Sequence, residues 1–170
     1  LLDKITEFSE NKHVLLVTKL CLATGARWSE IEGLTLKQLK RHKVSLHKTK
    51  SYKSRTIPIS EALYKEVHAH LKEHASFGTS TISAFRRAMN HTGIDLPKGQ
   101  NAHALRHTFA SHFMMNGGNI LTLQKILGHA SIVQTMRYAH LAPEHLEDAV
   151  KLNPLAGCSA ELAFNSLGVK

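Results

Sequence analysis

Residues 103–140, HALRHTFASHFMMNGGNILTLQKILGHASIVQTMRYAH, constrain the fold more than any other stretch of the chain. At about 100° per residue, Leu105, Phe109 and Phe113 fall on one apolar stripe, while His103, Arg106 and His107 gather on another face. A helix here has one side to bury and one side for chemistry. Gly117-Gly118 stop it, Ile120, Leu123, Ile126 and Leu127 repeat the helical period, and Gly128 breaks the chain just before His129. Further on, Ile132, Met136 and Ala139 align, which places Tyr138 roughly 120° off that stripe and outside the expected core. His103, Arg106, His129 and Tyr138 are four groups able to act on one phosphate.

The rest of the chain supplies the scaffold. Residues 2–9 suggest a short opening helix. Asn11 is the expected N-cap of a helix from Lys12 to Ala23, apolar over much of its circumference and therefore central. Thr24-Gly25 ends it, and Arg27 sits at the start of a short helix running through Ile31 to Leu34. From Arg41 to Ile59 the pattern changes: Val44 and Leu46 alternate with polar residues, and Thr56, Ile57 and Ile59 follow a lysine-rich run. This predicts a β-hairpin with Lys50 near its turn and Pro58 at an edge or strand end. Helices are expected from Ser60 to His74 and from Thr79 to Thr92, the second carrying Arg86 and Arg87. Pro97-Lys98-Gly99 is a loop, and one more helix over 143–151 ends at Asn153-Pro154. The expected architecture is mainly α with a small antiparallel β-sheet.

Charge narrows the function. The 170 residues carry a formal charge of +9 before any of the 13 histidines is counted, and 42% hydrophobic content suffices for one sizeable core. An anionic partner is expected, nucleic acid before a membrane surface. No apolar run approaches the ~20 residues of a membrane span, and the N-terminus lacks the order of a signal peptide, so the protein is expected to be soluble and intracellular. Cys21 and Cys158 offer neither a disulfide framework nor metal-ligand spacing. The chain opens Leu-Leu-Asp, which suggests a fragment whose N-terminal part is missing.

Opening a phosphodiester without a metal requires cationic donors for the non-bridging oxygens, a nucleophile, and an acid for the leaving oxygen. Arginine suits the first task because its planar fork pairs with two phosphate oxygens and stays protonated. A tyrosine nucleophile, with an unperturbed pKa near 10, costs about 4 kcal/mol to present as phenolate at neutral pH unless cations or a base offset it. His103 is the candidate base. Each residue alone has a plainer reading: Arg27 paired with Glu30 at i+3, Lys50 as one of several hairpin lysines, His129 as a capping histidine, Tyr138 as a half-buried aromatic, His107 as a buried structural histidine. His103 and His107 stand i, i+4 as zinc ligands do, but HALRH lacks the zinc-protease glutamate and sets an arginine between them. No metal and no cofactor is expected.

The constellation outweighs those readings. Gly-Ala-Arg27-x-x-Glu30, Thr49-Lys50 before Arg55-Thr-Ile-Pro58, His103-Ala-Leu-Arg106-His107, Leu127-Gly128-His129 and Met136-Arg137-Tyr138, in that order, resemble the tyrosine recombinases over residues 12–154. HTFASHFMMNGGNI and LGHASIVQTMRYAHLAPEHL look closest to integrases of temperate bacteriophages. The resemblance implies that Arg27 and Arg106 clamp the scissile phosphate and that Tyr138 attacks it to form a 3′-phosphotyrosyl link. It further implies that Lys50 protonates the departing 5′ oxygen, His103 exchanges the proton of Tyr138, His129 donates to the phosphate, and Glu30 buttresses the arginines. Also implied are double-stranded DNA attachment sites as substrate, a homo-tetramer on DNA, accessory DNA-bending proteins, and the cytoplasm of a bacterial host, at its nucleoid.

Rival readings are a chromosome-dimer-resolving, transposon or integron recombinase, a type IB topoisomerase, and a DNA-binding module without catalysis. The expected organisation is a catalytic domain over 1–154 and a C-terminal tail over 155–170. Leu162, Ala163, Phe164 and Leu167 give the tail an apolar face with no local core, so exchange between protomers is expected.

Overall fold

The computed structural model describes residues 1–9, 11–47, 54–78, 81–96, 99–144 and 148–156. Helix α1 (Leu2–Phe8) leads to α2 (Val14–Thr24), which buries Val14, Val17, Thr18, Leu20, Cys21 and Thr24 and packs against α1 and four later helices. Burial on nearly every side is tolerable because the Thr18 and Thr24 hydroxyls donate back to the carbonyls of Val14 and Leu20 at 2.8 and 2.6 Å. Asn11 Oδ1 accepts from the backbone of His13, the residue at the N-cap, so the expected start lies two residues early. Gly25 closes α2 in the left-handed region at φ +63°. The short α3 (Trp28–Glu32) follows, with Trp28 Nε1 donating to Thr81 Oγ1 at 3.0 Å and that hydroxyl bonding Glu32.

The sheet has three antiparallel strands in the order β1 (Leu39–Lys40), β2 (Lys43–Leu46) and β3 (Arg55–Pro58). Val44 pairs with Ile57 and Leu46 with Arg55, so Val44, Leu46 and Ile57 turn inward while Ser45 and Thr56 meet on the outer face. Pro58 ends the edge strand, where its missing N–H disturbs no ladder. The two-residue β1 is additional to the expected hairpin, pairing Leu39 with Val44. Lys50, expected near the turn, lies outside the described residues.

Ser60 caps α4 (Glu61–His74) by accepting from the Leu63 amide, and Leu63, Val67 and Leu71 form its buried stripe. The amphipathic α5 (Thr81–Met89) follows, then α6 (Asn101–Met115), α7 (Ile120–Leu127), α8 (Val133–Met136), a 3-10 turn at Ala139–Leu141 and α9 (Asp148–Lys151). Among the described residues, no helix is long and apolar enough to cross a membrane.

Two cores result. The larger joins α1 to α5 and the sheet and takes Leu105 from α6. The smaller consists of Ala110, Met114, Leu123, Leu127 and Tyr138, flanked by Phe109, Phe113, Ile120 and Leu141. Helix α6 therefore runs through both, and its buried residues are Leu105, Arg106, Ala110 and Met114, with Phe109 and Phe113 only partly covered. The expected face is rotated so that an arginine points inward.

The stripe expected at Ile132, Met136 and Ala139 is corrected in the same way. Met136 is 51% exposed, whereas Thr135 and Tyr138 are buried, Tyr138 to 6% exposure. The cause is local: α8 ends at Met136 and the chain tightens into a 3-10 turn from Ala139, so a continuous 3.6-residue period does not extend to Tyr138.

Candidate active site

Arg106 lies on α6 between the two cores, and its guanidinium is held by two backbone carbonyls. Nη1 donates to Gly25 O at 2.7 Å and Nη2 to Leu127 O at 2.6 Å. Both carbonyls belong to helix C-terminal turns, which have no intrahelical donor left and carry the negative end of the helix dipole. The four last carbonyls of α7 show the economy of this arrangement. Gln124 and Lys125 accept from the amides of His129 and Gly128 in a Schellman-type reversal, while Ile126 and Leu127 accept from Arg55 and Arg106. Gly128, at φ +66°, makes that reversal possible.

Two of the five N–H donors of Arg106 are used this way, leaving three for an anion. Burial, with Arg27 and Arg55 nearby, lowers its pKa to about 10, so it remains protonated at neutral pH.

Arg27 is the N-cap residue of α3, with its amide donating to Glu30 Oε2 at 2.8 Å and Nη1 3.6 Å from Oε1. Glu30 is more strongly engaged by Arg55, through Nη1 to Oε1 at 2.9 Å and Nη2 to Oε2 at 2.7 Å. Burial pushes the Glu30 carboxyl up, but the bonds from Arg55 and the Arg27 backbone, with both charges, pull it below the usual carboxylate range. Glu30 is thus an ionised brace between two arginines. Arg55 received no role from sequence, although one signal was present: it shares a strand face with buried Ile57, an odd place for a cation without a partner.

His129 follows the Gly128 reversal, and its Nδ1 lies 2.9 Å from the Oγ1 of buried Thr135. Burial first, then Arg106, Arg27, Arg137 and Arg55, lower its pKa to about 4, so it is neutral at pH 7. In the tautomer in which Nδ1 accepts from the Thr135 hydroxyl, the ring proton resides on Nε2, where an anion can use it.

The Tyr138 hydroxyl is bonded to His107 Nδ1 at 2.5 Å. Burial raises the Tyr138 pKa despite the opposing pull of Arg137 and Arg106, so the phenol is protonated in the unliganded protein. His103 is the expected base; the residue bonded to the hydroxyl is His107, read from sequence as structural. His103 is exposed on the wall of the same cavity.

Arg27, His103, Arg106, His107, His129, Gln134, Arg137 and Tyr138 together line one open cavity of about 300 Å³. Five of the six candidate residues are thus gathered from the N-terminus of α3, from α6, and from the segments flanking α8; the sixth, Lys50, lies outside the described residues. The Arg27 and Arg106 guanidiniums, the neutral His129 imidazole and the Tyr138 phenol among these groups suit a single tetrahedral anion with a nucleophile beside it. Among the described residues, no three His, Cys, Asp or Glu side chains are placed to hold a metal ion.

Comparison with known proteins follows the same lines. The phage integrase family matches residues 1–145. The integrase of Escherichia phage 186 is 58% identical over 139 residues, covering 82% of this chain and 41% of its own length. The chain spans about two-fifths of the curated phage relatives it matches. Among solved structures, the catalytic domain of bacteriophage HP1 integrase superposes with a TM-score of 0.80 at 50% identity, covering 92% of each chain. The XerH site-specific recombinase, bound to palindromic difH substrate in a post-cleavage complex, shares the fold with a TM-score of 0.64 at 22% identity, covering 89% of this chain and 50% of that one.

Proposed function

This chain belongs to the phage integrase family, and on that premise we propose that it is the DNA-cleaving and rejoining domain of a tyrosine recombinase that integrates phage DNA into a host chromosome. The observation that carries the reading is the cavity joining Arg27, Arg106, His129 and Tyr138. In this mechanism Arg27 and the three remaining donors of Arg106 bind the non-bridging oxygens of one DNA phosphate, and His129 adds a donor through Nε2. The Tyr138 oxygen attacks phosphorus, the bond to the 5′ oxygen breaks, and Lys50 protonates that oxygen as it leaves. A 5′ hydroxyl from a partner duplex then displaces the tyrosine by the reverse path. Phosphodiester energy is conserved in the phosphotyrosine, so neither ATP nor a metal is needed. His103, the residue expected to exchange the Tyr138 proton, stands on the wall of the same cavity.

The charge of +9 supports double-stranded DNA as the partner, and the identity to phage integrases favours phage integration over chromosome-dimer resolution. The working assembly is a homo-tetramer on attachment sites, with accessory DNA-bending proteins, at the bacterial nucleoid. Residues 155–170 are proposed to dock on a neighbouring protomer; most of them, with Leu162, Phe164 and Leu167, lie outside the described residues. Deleting 156–170 should lower self-association in sedimentation.

The deciding experiment uses the full chain on a nicked duplex carrying the attachment site, with no divalent metal, and scores covalent protein–DNA adduct. Wild type should form the adduct and Tyr138→Phe should not, while binding the duplex equally well. An adduct that survives Tyr138→Phe removes the proposed chemistry.

A further inference from the structure

Resting on the reading of Tyr138 as nucleophile, we infer that His107 is a further catalytic residue: its Nδ1 takes the Tyr138 proton as the phosphate is attacked and returns it when the phosphotyrosine is resolved. The geometry is the foundation. His107 Nδ1 and the Tyr138 oxygen are 2.5 Å apart, between residues 31 positions distant in sequence, and the rings are tilted 47° with centroids 5.8 Å apart. That is hydrogen-bond reach with no rearrangement required of either ring. Tyr138 belongs to the smaller core and also lines the open cavity that holds Arg27, Arg106 and His107.

A base is needed because burial outweighs the cations around the phenol and keeps it protonated. The imidazole is ready to serve. Burial, followed by the charges of Arg137, His103 and Arg106, lowers the His107 pKa below its ordinary value, so the ring is neutral at pH 7, and in the tautomer protonated on Nε2 its Nδ1 accepts from the Tyr138 hydroxyl. A depressed pKa makes a weak base, but the depression comes partly from the cations that bind the phosphate. Once a phosphodiester anion sits on Arg106, the field at His107 is partly cancelled and its basicity rises. The base therefore strengthens when substrate is in place.

The step balances. The Oη–H bond breaks with its proton going to Nδ1, the Oη–P bond forms, and the P–O5′ bond breaks with its electron pair leaving on the 5′ oxygen, protonated by a separate acid. In the second half the proton on Nδ1 returns to the departing phenolate. Neither oxidant nor metal enters.

The test compares wild type, His107→Asn and His103→Gln in the full chain, timing adduct formation on the nicked duplex from pH 6 to 9. Asparagine places an amide oxygen near the Nδ1 position, where it still accepts a hydrogen bond from Tyr138 but cannot retain a proton. His107→Asn is expected to bind DNA as wild type does, yet form adduct at least ~100-fold more slowly at pH 7. Its rate should climb about tenfold per pH unit as phenolate accumulates, while the wild-type and His103→Gln profiles level off. His107→Ala with imidazole in solution supplies the second arm, with recovery of rate expected. Adduct formation by His107→Asn within threefold of wild type overturns the inference, as does a climbing profile confined to His103→Gln. A wild type that forms no tyrosine adduct instead removes the proposed function, and this inference with it.

Discussion

Glu30 receives both arms of Arg55, at 2.9 Å and 2.7 Å, with each side chain only 10% exposed. The pair fastens α3 to β3, and through Arg55 Nε on Ile126 O at 2.7 Å it also reaches the end of α7. Three segments that contribute nothing to one another's secondary structure are thereby tied together beside Arg27 and His129.

Removing one partner of such a pair leaves the other charge poorly solvated. Glu30→Gln is expected to cost about 3 kcal/mol and to lower the melting temperature by about 6–12 °C. The sign of the pH dependence follows from the lowered Glu30 pKa. The brace is fully present above the ordinary carboxylate range and is lost as pH falls through its own depressed value. Calorimetry below pH 5 should show a shallower acid decline for Glu30→Gln than for wild type.

Gly25 and Gly128 have similar positive φ values, +63° and +66°, but different surroundings. A Cβ on Gly25 would lie 2.4 Å from Phe109 and 2.9 Å from Leu127, whereas one on Gly128 would come no nearer than 3.2 Å to its neighbour, the Arg55 side chain. Gly128→Ala should cost about 1 kcal/mol from the left-handed backbone alone. Gly25→Ala adds overpacking and should cost about 2–4 kcal/mol. Denaturant midpoints measure the gap; equal losses would mean that the contact between Gly25 and the smaller core is unimportant.

His129 has a folded-state pKa of about 4, below its ordinary 6.5. Between those values the unfolded chain binds the proton more readily, so stability is complete above about pH 6.5 and declines as pH falls toward 4. Urea titrations at pH 7, 5.5 and 4.5 should show a smaller decline for His129→Gln. An unchanged slope would place the acid sensitivity elsewhere.

Much of this molecule is legible in its sequence where the signal is local. Ser60 opens the helix that follows it, Gly25 and Gly128 stop α2 and α7, and the alternation through Val44 and Leu46 announces the hairpin. The order of motifs also singles out Arg27, His103, Arg106, His129 and Tyr138, which the fold gathers at one cavity. What escaped was tertiary. Strand β1 is two residues long and exists because Leu39 finds Val44. Tyr138 was placed by extending one helical period across a segment that is partly 3-10. The contact of His107 with Tyr138 depends on where the chain returns after Gly128, which no spacing along α6 records.

Helix α6 gives Leu105 to one core, Ala110 and Met114 to the other, and suspends Arg106 between carbonyls from α2 and α7. That guanidinium is therefore a rivet across the interior seam. A slip of either half pulls a carbonyl from it, and under the proposed mechanism the same slip spoils its grip on phosphate. On that mechanism structural fidelity is proofread by the chemistry itself: a misassembled copy of this chain is disarmed by the same displacement that makes it misassembled.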